Sequence, residues 1–145
     1  MKHLKGFNQL SKQYKHRKLM LSNMAASIII KKRIYTTLAK AKALRTYVEP
    51  IINKAKLDNM NSRRLVFRYL QDKKSALELF NNIANKIANR NGGYTRIIRT
   101  ECRNGDNAQK CFIELVDFNT IYNKDIIKKT RRSKKKVVNN DISIS

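Results

Sequence analysis

Four stretches of this chain carry apolar residues at intervals of three and four, and three others are rich in β-branched and aromatic residues. The first pattern lines one face of a helix; the second suits the pleat of a sheet. A helix is predicted from about Ser11, with Tyr14, Leu21, Met24, Ala25 and Ile28 on one stripe and Lys12, Lys15, His16 and Lys18 away from it. Arg33-Ile34-Tyr35-Thr36-Thr37 predicts a short strand, and Thr37 is placed to N-cap a second helix. That helix, about Leu38 to Lys56, has the clearest period. Ala41, Leu44, Val48, Ile51, Ile52 and Ala55 share a face, with Lys40, Lys42 and Arg45 opposite. Pro50 lies inside it and predicts a kink. After the break at Asn59-Met60-Asn61, Ser62 is placed to cap a shorter helix reaching about Leu70. Lys73-Lys74 reads as a loop. A fourth helix opens at Ser75, turns Ala76, Phe80, Ile83, Ala84 and Ile87 inward, and stops at Arg90-Asn91-Gly92-Gly93.

Two β-rich runs, Tyr94–Cys102 and Cys111–Asp117, flank Asn104-Gly105-Asp106-Asn107 and predict a hairpin around residues that tolerate positive φ. Alternation puts Phe112, Glu114 and Val116 on one side and Ile113, Leu115 and Asp117 on the other. Without a bulge, Arg96 faces away from Arg99 and Arg103. Two strands bury too little apolar surface to stand alone, so the helices must supply the other half of a core. In a regular hairpin Cys102 and Cys111 lie nearly opposite each other. A disulfide is nevertheless not expected, because a chain opening Met1–Gly6 without an apolar signal core reads as resident in a reducing cytosol.

Charge changes the picture most. The chain has 145 residues, 33 Lys and Arg against 10 Asp and Glu, a net charge of +23 and a pI near 10.4. Twelve basic residues precede Glu49, the first carboxylate. Such self-repulsion calls for a polyanion, either nucleic acid or an anionic membrane. The apolar runs disfavour a membrane span, since Ser27-Ile28-Ile29-Ile30 stops at once in Lys31-Lys32-Arg33. The length suits one domain, residues 11–118, between a basic arm (residues 1–10) and a basic extension (residues 119–145). Lys124 to Lys136 holds eight basic residues and one acid, a composition expected to order only on a polyanion.

The order and spacing of several short blocks resemble the bacterial large ribosomal subunit protein seventeen family over about Met1 to Asp117. The blocks run from Met1-Lys2-His3, His16-Arg17 and Asn23-Met24 through Thr36-Thr37, Lys40-Ala41-Lys42, Leu44-Arg45 and Val48-Glu49-Pro50 to Ala55-Lys56 and Asn61–Arg64. The most specific are Gly92-Gly93-Tyr94-Thr95-Arg96-Ile97, Arg103, Gly105-Asp106-Asn107-Ala108 and Ile113-Glu114-Leu115-Val116-Asp117. Lys2 and Lys12 stand where arginine is more typical, Ala43 replaces a usual acid, and Asn85-Lys86 replaces a Gly-Pro break. The resemblance implies an α/β (α+β) domain of four helices around a small three-stranded sheet. It further implies a non-enzymatic constituent of the large ribosomal subunit, cytoplasmic and without cofactor. Its implied partners are large-subunit ribosomal RNA near the polypeptide exit region and neighbouring ribosomal proteins, with no small-molecule substrate.

Cations that neutralise phosphates release counterions, so RNA affinity should be strong and salt-dependent. The candidate contacts fall into sets: Lys2, His3, Lys5, Lys12, His16 and Arg17; Lys40, Lys42 and Arg45; Arg63 and Arg64. The hairpin adds Tyr94, Arg96, Arg99 and Arg103, with Tyr94 either a stacking platform or core, and the extension adds Lys128, Lys129, Arg131 and Arg132. A metal site is not expected, because His3, His16, Cys102 and Cys111 lack the close pairwise spacing of zinc ligands. The alternative readings are a basic nuclease or RNA-modifying enzyme using Asp106, Glu114 and Asp117, or a DNA-binding architectural protein. The first needs converging carboxylates and the second a helix–turn–helix or dimer seam. The sequence offers neither.

Overall fold

A computed structural model describes residues 8–119. The arm's Lys2, His3 and Lys5, and the extension with Lys128, Lys129, Arg131 and Arg132, lie outside the described residues.

The elements are α1 (Tyr14–Lys31), β1 (Arg33–Thr37), α2 (Leu38–Ala55), α3 (Met60–Leu70), α4 (Lys73–Glu78), a π-helical stretch (Leu79–Ile83), α5 (Ala84–Ile87), β2 (Thr95–Cys102), β3 (Gln109–Leu115) and a 3-10 turn (Val116–Phe118). The stretch from α4 to α5 forms the fourth helix, so the described residues make an α+β fold of four helices and one sheet. The strand order is β1-β3-β2, all antiparallel. The central β3 sends Cys111, Ile113 and Leu115 inward against Ile34 of β1 and Ile97 of β2. Across from them α2 supplies Ala41, Leu44, Val48, Ile51, Ile52 and Ala55, its whole predicted stripe, all buried. Each of the larger aliphatic side chains contributes about 1.5–3 kcal/mol on burial, which makes α2 the spine of the core. The helix runs through Pro50 as one element. Among the described residues no helix is long and apolar enough to cross a membrane.

Several local expectations are corrected. Helix α1 begins at Tyr14, not Ser11, because Leu10 and Ser11 hold φ values of 56° and 51° in a turn that Asn8 Oδ1 stabilises by accepting from Leu10 N–H. Its buried face starts at Ser22, so Tyr14 is not core but 67% exposed. Thr37 is the N-cap of α2 as expected, although its side chain makes no capping hydrogen bond. Asn59, not Ser62, is the N-cap of α3. Lys73-Lys74 is helix rather than loop, because Asp72 caps it by accepting from the backbone N–H groups of Lys74 (3.3 Å) and Ser75 (2.9 Å). The extra residue of the π turn shifts the helical phase, so Leu79 joins Phe80 and Ile83 in the core, while Ala84 is only partly buried.

The hairpin has a register shift between Arg99 and Cys102, and Asn107 rather than Gly105 adopts positive φ (51°). Cys102 therefore pairs with Gln109 and is exposed, whereas Cys111 pairs with Arg99 and is buried; both are free thiols and they do not oppose each other. Strand β3 ends at Leu115, so Val116 and Asp117 belong to the 3-10 turn. The last carbonyls of α3 also find partners. Ser22 Oγ donates toward Tyr69 O (2.7 Å) and Leu70 O (3.0 Å), and Tyr47 Oη donates to Tyr69 O (3.0 Å), which joins α1, α2 and α3 at one point.

The Asp72 cap gives a direct test. Asp72→Ala should cost about 1 kcal/mol in urea unfolding at neutral pH. Hydrogen bonds from Ser75 hold the Asp72 carboxyl below its ordinary range. The cap's contribution is thus complete above the unfolded-state value, about 3.9, and is lost as pH falls through the lower folded value. Asp72→Asn should remove that acid dependence while keeping most of the stability; equal acid sensitivity in both proteins would locate the effect elsewhere.

Candidate nucleic-acid interface

Cations outnumber acids so heavily that the location of the acids decides where positive charge is left over. Glu49 Oε1 accepts from Arg45 Nε (3.3 Å) and Thr95 Oγ1 (2.9 Å), tying α2 to β2. Glu78 pairs with Lys32, which ends α1 in a left-handed conformation (φ 64°), and Lys32 draws the Glu78 carboxyl below its ordinary range. Asp117 accepts from Arg90 at 2.9–3.3 Å, tying the end of the fourth helix to the turn after β3. Glu114 is fully buried on the outer side of β3. Arg33 Nε lies 3.7 Å from its carboxylate and Arg96 Nη1 3.8 Å, while Asn119 Nδ2 donates to Oε2 at 2.6 Å. One carboxylate therefore joins all three strands.

The remaining pairs are local. Arg63 forks Asp58 at 2.6 and 2.8 Å, and Arg103 forks Asp106, whose carboxyl is pulled down to about 2 by that hydrogen bond. Exposed pairs of this kind are screened by water and add little to stability, so a phosphate can replace the acid with little loss. Arg45, Arg63 and Arg103 are thus reachable cations with an intramolecular partner.

The predicted residues divide as follows. Arg17 lies at the start of α1, donates from Nη1 to Lys12 O (3.3 Å) and sits 5.9 Å from the Tyr14 ring centre; His16 is exposed beside them. Lys42 of α2 shares a depression of about 440 Å³ with Arg17, so the first two sets meet. Lys40 faces a different groove, beside Tyr35 and Phe112, and Arg45 a third, beside Asn53 and Gly92. Arg64 and Arg99 are exposed. Arg96 is not an isolated surface cation, being held against Glu114. Of its two alternatives Tyr94 takes the core: it is 3% exposed, its hydroxyl donates to Asn53 Oδ1 (3.1 Å), and it does not serve as a stacking platform.

Other residues join these that the candidate contact sets leave out. Lys18 and Arg68 line a cleft with Tyr14, Tyr47 and Tyr69. On the outer sheet face Arg33 packs 3.8 Å above the Phe112 ring, Phe112 stacks on Tyr35 at 4.8 Å, and Lys110 lies 5.6 Å from Tyr35. The i, i+3, i+4, i+7 spacing of Tyr14, Arg17, Lys18 and Leu21 is an available signal for the cleft. The outer-face cluster depends on strand pairing and has none.

The carboxylates of the nuclease alternative do not converge. Glu114 is buried between arginines, Asp106 is a turn acceptor on Arg103 and Ala108 N–H, and Asp117 holds Arg90. Among the described residues no group of three or more His, Cys, Asp or Glu is placed to hold a metal ion.

A family model described as ribosomal protein L17 matches residues 20–116. The chain is 58% identical over 139 residues to the large ribosomal subunit protein bL17 of Porphyromonas gingivalis, covering 94% of this chain and 87% of that protein. The bL17 protein of Parabacteroides distasonis is 59% identical over 140 residues, with the same coverage. That of Amoebophilus asiaticus is 56% identical over 142 residues, 94% of this chain and 73% of the relative.

Glu114→Ala should destabilise the isolated protein by about 1–2 kcal/mol in urea unfolding, because it removes the counter-charge shared by two partly exposed arginines and the acceptor of Asn119 Nδ2. A loss well under 1 kcal/mol would show that Arg33 and Arg96 are held apart by packing alone.

Proposed function

This chain belongs to the ribosomal protein L17 family, and from that premise we propose that it binds and stabilises folded large-subunit ribosomal RNA near the polypeptide exit region. As a protein of the large ribosomal subunit it is a structural component and not an enzyme. It works bound to the ribosome in the cytoplasm, beside neighbouring large-subunit proteins.

The observation that carries this reading is the division of labour among charges. The carboxylates at element junctions serve the fold, whereas Arg17 and Lys42 line a shared depression that holds no acid among the described residues. A ribose-phosphate backbone supplies counter-charge to such a surface at high density. Lys12, His16, Arg17 and Lys42 form the central contact set, with Arg45, Arg63, Arg64, Arg99 and Arg103 as outlying contacts. Lys2, His3, Lys5, Lys128, Lys129, Arg131 and Arg132 extend the same chemistry along the chain at both ends. Arg45, Arg63 and Arg103 exchange their local acids for phosphate, a trade that fork geometry favours.

Simultaneous replacement of Lys12, His16 and Arg17 by alanine should lower the amount of this protein retained on large subunits after a high-salt wash. The melting temperature of the free protein should stay the same, because none of the three is in the core. Unchanged retention would exclude the start of α1 as a principal anchor. Lowered retention together with a lowered melting temperature would assign the effect to folding.

A further inference from the structure

The first two turns of α1 project beyond the core and close one side of a cleft of about 530 Å³ against α2 and α3. Three tyrosines line it. Tyr14 is 67% exposed, and Tyr47 and Tyr69 meet edge-on, with ring centres 6.2 Å apart and planes at 85°. The Tyr47 hydroxyl is tied to Tyr69 O, and burial raises its pKa above the ordinary value, so this wall is a fixed, neutral aromatic surface. Arg17, Lys18 and Arg68 stand around the cleft, and among the described residues no carboxylate lines it. The volume lies in the range of sites for single small ligands.

Aromatic faces flanked by cations on several sides form the arrangement that holds an unstacked base and its phosphates. A duplex keeps its bases inside the stack and cannot fill such a cleft. We propose that this cleft receives one unpaired nucleotide of RNA, its base stacked on Tyr14 and its flanking phosphates held by Lys18 and Arg68. The proposal rests on the RNA-binding reading above and adds to it a specific subsite and the form of RNA it takes. Charge selects this occupant over two others. A second copy of the chain would bring another net +23, and residues 1–7 carry Lys2 and Lys5 without any acid.

The test uses the full-length protein and an oligoadenylate of about ten nucleotides containing one 2-aminopurine, free and annealed to its complement. Tyr14 is exposed, so Tyr14→Ala should leave the melting temperature intact while weakening single-strand binding about 5-fold to 100-fold. It should also abolish quenching of the 2-aminopurine, leave duplex binding unchanged, and be rescued by Tyr14→Phe. Equal weakening for single strand and duplex, or no weakening of either, overturns the subsite while leaving the wider RNA reading in place. A rise in single-strand affinity on deleting residues 1–7, with Tyr14→Ala silent, assigns the cleft to the arm and also overturns it. So does loss of binding to a purified neighbouring ribosomal protein with RNA binding intact. Wild-type protein that ignores both RNA forms in dilute buffer overturns the RNA reading and the subsite together.

Discussion

Scarcity of negative charge governs this structure. A chain of net +23 has few carboxylates, and the fold places the buried and half-buried ones at junctions between elements. Glu114 holds the arginines of both edge strands to the central one. Glu78 stabilises the left-handed end of α1, where a non-glycine residue is under strain, and Asp117 closes the chain onto the fourth helix through Arg90. These clamps set the core and at the same time fix which cations remain for a partner. Among the described residues the depression between the start of α1 and the adjoining face of α2 holds Arg17 and Lys42 and no acid, and it is the surface we assign to the polyanion.

The fold is legible in the sequence wherever one period runs uninterrupted through the core. Helix α2 keeps its whole stripe because its buried residues span its full length. Helix α1 does not, because periodicity says which face could be buried but not where the core stops. The spacing of Tyr14 therefore points inward although α1 buries nothing before Ser22. Tyr94, at the head of a β-rich run, is open between core and stacking surface in the sequence. It is buried and bonds Asn53 of α2, a contact forty-one residues distant that no local pattern carries. The π turn at Leu79–Ile83 and the shift between Arg99 and Cys102 each break a fixed period, and neither has a residue signature strong enough to announce it.

The candidate site is legible as charge and less so as geometry. Counting cations points to a polyanion-binding surface but treats every arginine alike. Arg45 with Glu49 at i+4, and Arg103 with Asp106 at i+3, can be paired from spacing alone. Arg96 cannot, since its acid lies on another strand. The tyrosine cleft shows the same limit, because its three rings come from three helices that Ser22 and Tyr47 join through hydroxyl contacts with the end of α3.

The most direct measurement is the affinity of the purified chain for large-subunit ribosomal RNA across a potassium chloride series. If cations left over by the fold are neutralised by phosphate, the logarithm of affinity falls linearly with the logarithm of salt. Each phosphate contact contributes a slope of roughly 0.7–0.9, so several contacts give a steep line. An affinity indifferent to salt, or no binding at the lowest salt, would contradict the account.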